Sequence, residues 1–366
     1  MHNLPLSVKP SKSSAKPPLI SVVINNHNYA HFLSGAIESV LAQQHSFGED
    51  SVEVVVVDDG STDQSHAVIA SYGNKIVPVL KANGGQDSAF NAGFARCKGE
   101  FVCLLDADDR FAPDKLEQIV RCFRAHRDIG WCFHALRLED TRLVHAVGNT
   151  SSNTSGNTIG TTRAFGGRGR DRSQVCDFRE SLRFGTLPFY PPATSGLCFR
   201  RSLLACILPM PETFINTSAD RYVRIAAMSL APGYFLADEL TIQGIHGNNV
   251  STLRCDRPSI PERQIVVAYL LRTQFPELSQ YADRLFSRGL SAYNRCSPET
   301  LEPEYADFIR DYWQLCSPMD SFLITLLRLY RDRPWRAVTH QAADYYNFTQ
   351  SRRRAVAKES RVSAIR

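Results

Sequence analysis

The sequence predicts an α/β fold, a mostly parallel sheet with helices on both faces, followed by a helical C-terminal region. Three observations predict it. Apolar runs rich in β-branched residues alternate with segments whose apolar residues recur at spacings of 3 and 4. The runs are apolar throughout, as strands covered on both faces require. Three of them stop in polar clusters, at Asn25–Tyr29, Asp58–Asp63 and Asp106–Asp109, and ligands bind at the carboxyl ends of such strands.

Taken in order, "LISVVI" (19–24) is the first strand, and Phe32, Leu33, Ile37, Val40 and Leu41 mark the helix after it. "VEVVVVDDGSTD" (52–63) is a second buried strand ending in acid and turn residues, and "QSHAVIASYG" is a helix closed by Gly73. "IVPVLKA" leads into "NGGQDSAFNAGFARCKG", a glycine-rich turn and a helix. In "VCLLDADDRFAPDKL" (102–116) a fourth strand runs straight into Asp106, Asp108 and Asp109. Past residue 131 the alternation weakens. "WCFHALRLED" reads as a strand, and the Gly/Ser/Thr/Asn-rich stretch 148–172 as a mobile loop, either a variable insertion or a lid. "TSADRYVRIAAMSL" is a helix with Asp220 in its first turn, and from Glu262 onward the pattern is helical. This divides the chain into a disordered leader (1–18), an α/β domain (19–255) and a helical appendage with a basic tail (256–366).

Composition narrows the class. The chain has 366 residues, 43% hydrophobic and 22% charged, enough for one large domain or a domain with an appendage. Its net charge of +5 is uneven: from Leu327 to the end ten Lys/Arg face three Asp/Glu, so the rest is slightly acidic. The leader has no apolar core and so is not a signal peptide. The run Phe322–Leu327 is far shorter than the roughly 20 residues that span a bilayer. A cytoplasmic protein is expected, with no nucleic-acid partner. The ten cysteines are scattered with no CxxC pair, which fits buried free thiols better than disulfides or a zinc site.

The carboxylates carry the chemistry. Asp106, Asp108 and Asp109 repel one another unless a cation, a basic partner or solvent holds them. Oxygen ligands at a strand end suit Mg²⁺ or Mn²⁺, which bind through one or two carboxylates and substrate phosphates. A helix N-terminus ahead of "KLEQIV" accounts for Asp114 but not for Asp106 and Asp108.

"VVINNHNYAHFLSGAIESVLAQ", "VVVVDDGSTD", "NGGQDSAFNAGFARCKGEFVCLLDADD" and "TSADRYVRIAA" resemble, in order and spacing, the motifs of family 2 inverting glycosyltransferases of the GT-A (Rossmann-like) fold. The resemblance runs from about Leu19 to about Ser251, and "PPATSGLCFRRSLL" and "IHGNNVS" are similar to one bacterial branch. It implies a nucleotide-sugar donor, bordered at the base by Asn26 and Tyr29 and bonded by Asp59. Gly84 and Gly85 would let the chain approach the nucleotide closely, with Gln86 and Asn91 hydrogen-bonding to sugar or ribose. Asp106 would contact ribose or metal, and Asp108 the metal, with His246 a further ligand or a contact to the diphosphate. Asp220 matches the family's general base. The acceptor would be a glycan or a lipid-linked acceptor, in bacterial surface polysaccharide or glycoconjugate synthesis.

Two departures bear on this. Phe90 stands where many relatives carry arginine, and Ala219 precedes Asp220 where many have glutamate. A sugar-nucleotidyltransferase would need a glycine-rich loop after the first strand, which "NNHNY" lacks; a binding protein without turnover would have no need to keep Asp59, Asp106, Asp108 and Asp220 together. In the tail, Phe322, Leu323, Leu326, Leu327 and Tyr330 form a stripe beside Arg328, Arg331, Arg333 and Arg336. Two readings stay open: packing onto the catalytic domain, or a peripheral contact at the inner face of the membrane.

Overall fold

Strand β1 (Ile20–Asn26) lies at the centre of the sheet, and its side chains are buried at every position but Asn25. In the computed structural model, which describes residues 18–47, 51–140, 158–162, 172–213, 219–246, 249, 261–293 and 304–332, β1 is flanked in parallel by β2 (Val52–Asp59) and by β4 (Phe101–Asp106). β3 (Val77–Lys81) extends the parallel half beyond β2. The expected alternation is present: helix α1 (Ala30–Leu41), α2 (Ser65–Ser71), α3 (Gly85–Arg96) and α4 (Lys115–Ala125) connect or follow these strands. α1 buries Leu33, Ala36, Ile37 and Val40, one face at spacings of 3 and 4, against β1 and β2.

Beyond β4 the sheet becomes mixed. Its order is β3-β2-β1-β4-β9-β6-β10-β5, with β9 (Leu197–Arg200) antiparallel to both β4 and β6 (Trp131–Asp140). β10 (Gly233–Ile245) runs parallel to β6, and β5 (Arg110–Phe111) pairs antiparallel with its far end. α5 (Ala219–Leu230) precedes β10 and has Asp220 in its first turn, as expected. The stretch expected to be a loop carries β7 (Thr158–Thr161), which pairs with β6; apart from Thr162, the rest of 148–171 lies outside the described residues, as do the leader to residue 17 and the tail from 333. β8 (Gln174–Cys176) pairs with β10.

The described cysteines are free thiols: Cys97, Cys103, Cys122, Cys132, Cys176 and Cys198 are buried, Cys316 is half-buried and Cys206 is exposed. Phe90, 2% exposed, is a core residue.

The chain divides into two compact units, Met1–Arg179 with Pro188–Thr252, and Glu180–Leu187 with Leu253–Arg366. The second unit contains α6 (Pro261–Gln274), α7 (Ser279–Tyr293), α8 (Glu304–Gln314) and α9 (Pro318–Arg331). Its core includes Val266, Leu271, Phe286, Tyr312 and Ile324. Arg272 sits half-buried there against two carboxylates, paired with Asp283 and, at 2.7 Å, with Asp320, while the Tyr312 hydroxyl donates to Asp283 at 2.7 Å.

Candidate functional site

The parallel register sets Asn25 beside Asp106, Asn26 beside Asp58, and Asp59 beside Lys81. One sheet edge thus collects the polar ends of four strands, because each apolar run stops at the same level. Asn26, expected beside a nucleobase, is buried; its Nδ2 donates to Asp58 Oδ2 at 2.8 Å and to Ser65 Oγ at 2.8 Å, tying β1 to the turn after β2. Burial pushes the Asp58 carboxyl up, but hydrogen bonds from Ser61, Asn26 and His66 outweigh it and hold the group below its usual range.

Asp59 is the knot of the donor side. It accepts from Lys81 Nζ at 2.6 Å, from the Gly84 amide at 3.0 Å and from the Gly85 amide at 2.8 Å. Both its oxygens are therefore engaged within the chain. Gly85 has φ +85°, which side chains rarely adopt, and a Cβ on Gly84 would lie 2.8 Å from Ser88 Oγ. The turn demands these glycines before any ligand is considered. Gln86 sits half-buried in the first turn of α3. Asn91, expected to face sugar or ribose, exchanges two hydrogen bonds with the Met210 backbone, each 2.8 Å long. Asp87, one turn earlier on α3, is fully buried and accepts from the Thr213 amide at 3.0 Å.

At the end of β4, Asp106, Asp108 and Asp109 bring one carboxylate oxygen each within 4.8 Å of one another. Burial, then Asp108 and Asp220, push the Asp106 carboxyl up to about 8. Asp109 is pushed up by burial, by Asp108 and by Asp106, although Ser195 Oγ donates to it at 2.6 Å and the Gly244 amide at 3.1 Å. Asp108 stands further out. Its Oδ2 lies 3.0 Å from His246 Nε2 and 3.3 Å from Asn249 Nδ2. His246 arrives because β5, just after the aspartates, pairs with the end of β10. Phe32 stacks on its ring at 4.8 Å between centroids and Tyr29 meets it edge-on at 5.7 Å. Burial, with Asp108 next, pushes the Tyr29 hydroxyl up to about 12.

This donor set fits a hard divalent cation. Desolvated carboxylates this close must share protons or a positive charge, and oxygen donors with one imidazole suit Mg²⁺ or Mn²⁺. Asp109 has both oxygens hydrogen-bonded, which leaves Asp106, Asp108 and His246 as the ligand candidates.

Asp220 is in the same electrostatic neighbourhood, since its charge contributes to the shift at Asp106. Its Oδ2 lies 2.9 Å from Arg224 Nη1, which also donates to the Pro192 carbonyl at 2.9 Å.

Sequence reasoning missed the floor beneath the cluster. Ser195 bridges it, accepting from the Asp106 amide at 3.0 Å and donating to Asp109. Fully buried Lys115 donates to the Ser195 carbonyl at 2.8 Å and to Thr241 Oγ1 at 3.1 Å. A lysine in phase with Ile119 and Cys122 on the buried face of α4 was a readable signal for it; Ser195 had none.

Residues 21–176 match the sequence model described as Glycosyl transferase family 2. An uncharacterized glycosyltransferase of Nostoc sp. is 38% identical over 234 residues, 63% of this chain and 66% of that one. An uncharacterized glycosyltransferase of Rickettsia typhi is 40% identical over 106 residues, 29% of this chain and 32% of that one. The chain thus spans just under two thirds of the first relative and about a third of the second. The fold is similar to that of S. aureus TarS (residues 1–349), solved in complex with UDP-GlcNAc, with a TM-score of 0.59 at 17% identity over 88% of this chain and 92% of that one.

Proposed function

Residues 21–176 match glycosyl transferase family 2, and from that premise we propose that the chain is a member of this family that moves a sugar from a nucleotide-sugar donor to an acceptor hydroxyl with inversion at the anomeric carbon. The observation that carries the reading is the closeness of Asp220 to the Asp106–Asp108 cluster, close enough to disfavour the ionised form of Asp106. A base and a phosphate-type site within one field are what a single displacement needs.

In that displacement Asp220 takes the proton of the acceptor hydroxyl while its oxygen attacks the anomeric carbon. The bond from that carbon to the diphosphate breaks on the opposite face, and the nucleoside diphosphate leaves with the electron pair. Arg224 fixes the direction of Asp220, and holding both substrates in line supplies much of the acceleration. Asp108 and His246, with Asp106 beside them, would hold Mg²⁺ or Mn²⁺, which when bound would supply positive charge to the departing diphosphate. Tyr29 borders the donor cleft beside His246. Asp59, Asn26 and Asn91 act by holding the glycine turn, the strand ends and the 210–213 segment in place.

The acceptor is assigned to glycans or lipid-linked glycans of bacterial surface polysaccharide or glycoconjugate synthesis, on the sequence resemblance. The α/β domain of 19–255 is assigned catalysis and 256–366 an accessory role. Among the described residues no helix is long and apolar enough to cross a membrane; an inner-face peripheral location rests on the tail. Incubation with UDP-, GDP- and dTDP-sugars, with and without Mn²⁺, tests the activity. Metal-dependent release of nucleoside diphosphate from one donor class is expected. Release from none, with no donor shifting the melting temperature, overturns the reading.

A further inference from the structure

We infer that the outward face of α9 is a docking surface for an anionic lipid bilayer. A surface helix ordinarily turns its apolar stripe inward. α9 turns a large one outward. Met319, Phe322, Leu323, Leu326 and Leu329 are 65%, 62%, 48%, 52% and 58% exposed. At about 100° per residue these five fall within roughly 120° of arc, and Ile324, fully buried, faces the other way.

The helix does not need that stripe to fold. Its N-terminus is closed by a capping box in which Ser317 and Asp320 satisfy each other's backbone amides, with Pro318 at the first position. Asp320 is also paired with half-buried Arg272, and Ile324 fills the core side. Five large apolar side chains are thus held outward on a helix that is already fastened by its other face. A contiguous patch of that kind marks an interaction site.

Size and charge choose the occupant. Side chains of this class cover on the order of 200 Å² each; being about half exposed, five of them offer less than the roughly 800 Å² per partner of a stable protein interface. The stripe, about 16 Å long at 1.5 Å per residue, is too short to span a bilayer but long enough to lie in its surface. The chain continuing from it, residues 333–366, lies outside the described residues but carries eight Lys/Arg against two Asp/Glu, together with Trp335. Two copies joined through this face would bring two such tails together and repel. Anionic headgroups attract the same tail to where the apolar stripe enters the interface. The inference rests on α9 and the basic chain beyond it, and holds whatever the catalytic reaction is.

The test is co-sedimentation of the full chain with vesicles. Binding is expected to vesicles containing about a third phosphatidylglycerol, to weaken with salt, and to be at least tenfold weaker with phosphatidylcholine alone. The double variant Phe322→Ser, Leu326→Ser should lose binding at least tenfold with its circular-dichroism melt unchanged. Charge reversal at Arg352, Arg353 and Arg354 should weaken binding to anionic vesicles only. Donor turnover in solution should be the same in all three proteins, which separates failure here from failure of the transferase reading. No binding to anionic vesicles at low salt, or retention by the Ser variant, overturns the inference. So does a lipid-free dimer in sedimentation velocity that the Ser variant dissolves.

Discussion

Arg224 Nη1 lies 2.9 Å from Asp220 Oδ2, one helical turn along α5, and the same nitrogen donates to the Pro192 carbonyl. The aspartate assigned as base is thus aimed by a cation that is itself tied to the loop before β9. Asp220→Asn keeps the shape and cannot accept the proton. Transfer should slow by roughly 10²–10⁴ while donor affinity stays the same. Single-turnover rates measured beside donor titrations check this; a collapse of donor binding with the rate of the bound complex intact would make Asp220 a binding residue.

Asp108 is half-buried in its cluster, and His246 and Asn249 both reach one of its oxygens, Oδ2. Asp108→Ala removes a charge from a repelling group at the end of a strand, so the protein should stay folded. Metal-dependent nucleotide binding and turnover should both be lost. Full turnover in the variant, or wild-type turnover indifferent to EDTA, contradicts the metal assignment.

Asp106 adds a pH dependence whose sign is determined. Its carboxyl, raised by burial and by Asp108 and Asp220, titrates at about 8 against 3.8 for an ordinary aspartate. Between these values the metal-free folded state holds a proton that the unfolded state has lost, so on this group's account stability falls as pH rises from about 4 to about 8. A divalent cation displaces that proton. Its affinity should therefore rise from pH 6 to pH 8, with proton release visible by calorimetry in buffers of different ionisation enthalpy. Affinity that is flat or falling over this range argues against Asp106 being at the metal.

The parallel half of the sheet was legible because strands buried on both faces are written as unbroken apolar runs, and their polar ends lie in register. The second half was less so: β9 has four residues and β8 three, too short for periodicity, and whether they pair parallel or antiparallel is decided by tertiary contacts. β7 reads as loop because Thr158–Thr161 is polar and glycine-containing, yet it completes an edge against β6. Asp106, Asp108, Asp220 and His246 were readable as motif positions. The hydrogen bonds that Asn26 and Asn91 make within the chain were not, since an asparagine that braces a turn and one that meets a ligand look alike in a sequence. The stripe at 322–330 is visible in the sequence, but only the structure shows that most of it points away from the core.

Asn91 separates bracing from binding most cleanly. Its side chain makes a two-way bond with the Met210 backbone, and Asp87, one turn earlier, holds the Thr213 amide. One face of α3 thereby grips the segment 210–213, which leads toward Asp220. Asn91→Ala leaves a backbone N–H and a carbonyl without these partners, at a cost of about 1–3 kcal/mol. Stability should drop by that order, read as a lower urea midpoint with an unchanged slope. Turnover should fall because the approach to α5 loosens, whereas donor affinity, set across the strand ends, should hold within about threefold, under 1 kcal/mol. If donor affinity instead falls tenfold or more with the midpoint unmoved, Asn91 meets the sugar or ribose directly and the Met210 bonds are dispensable.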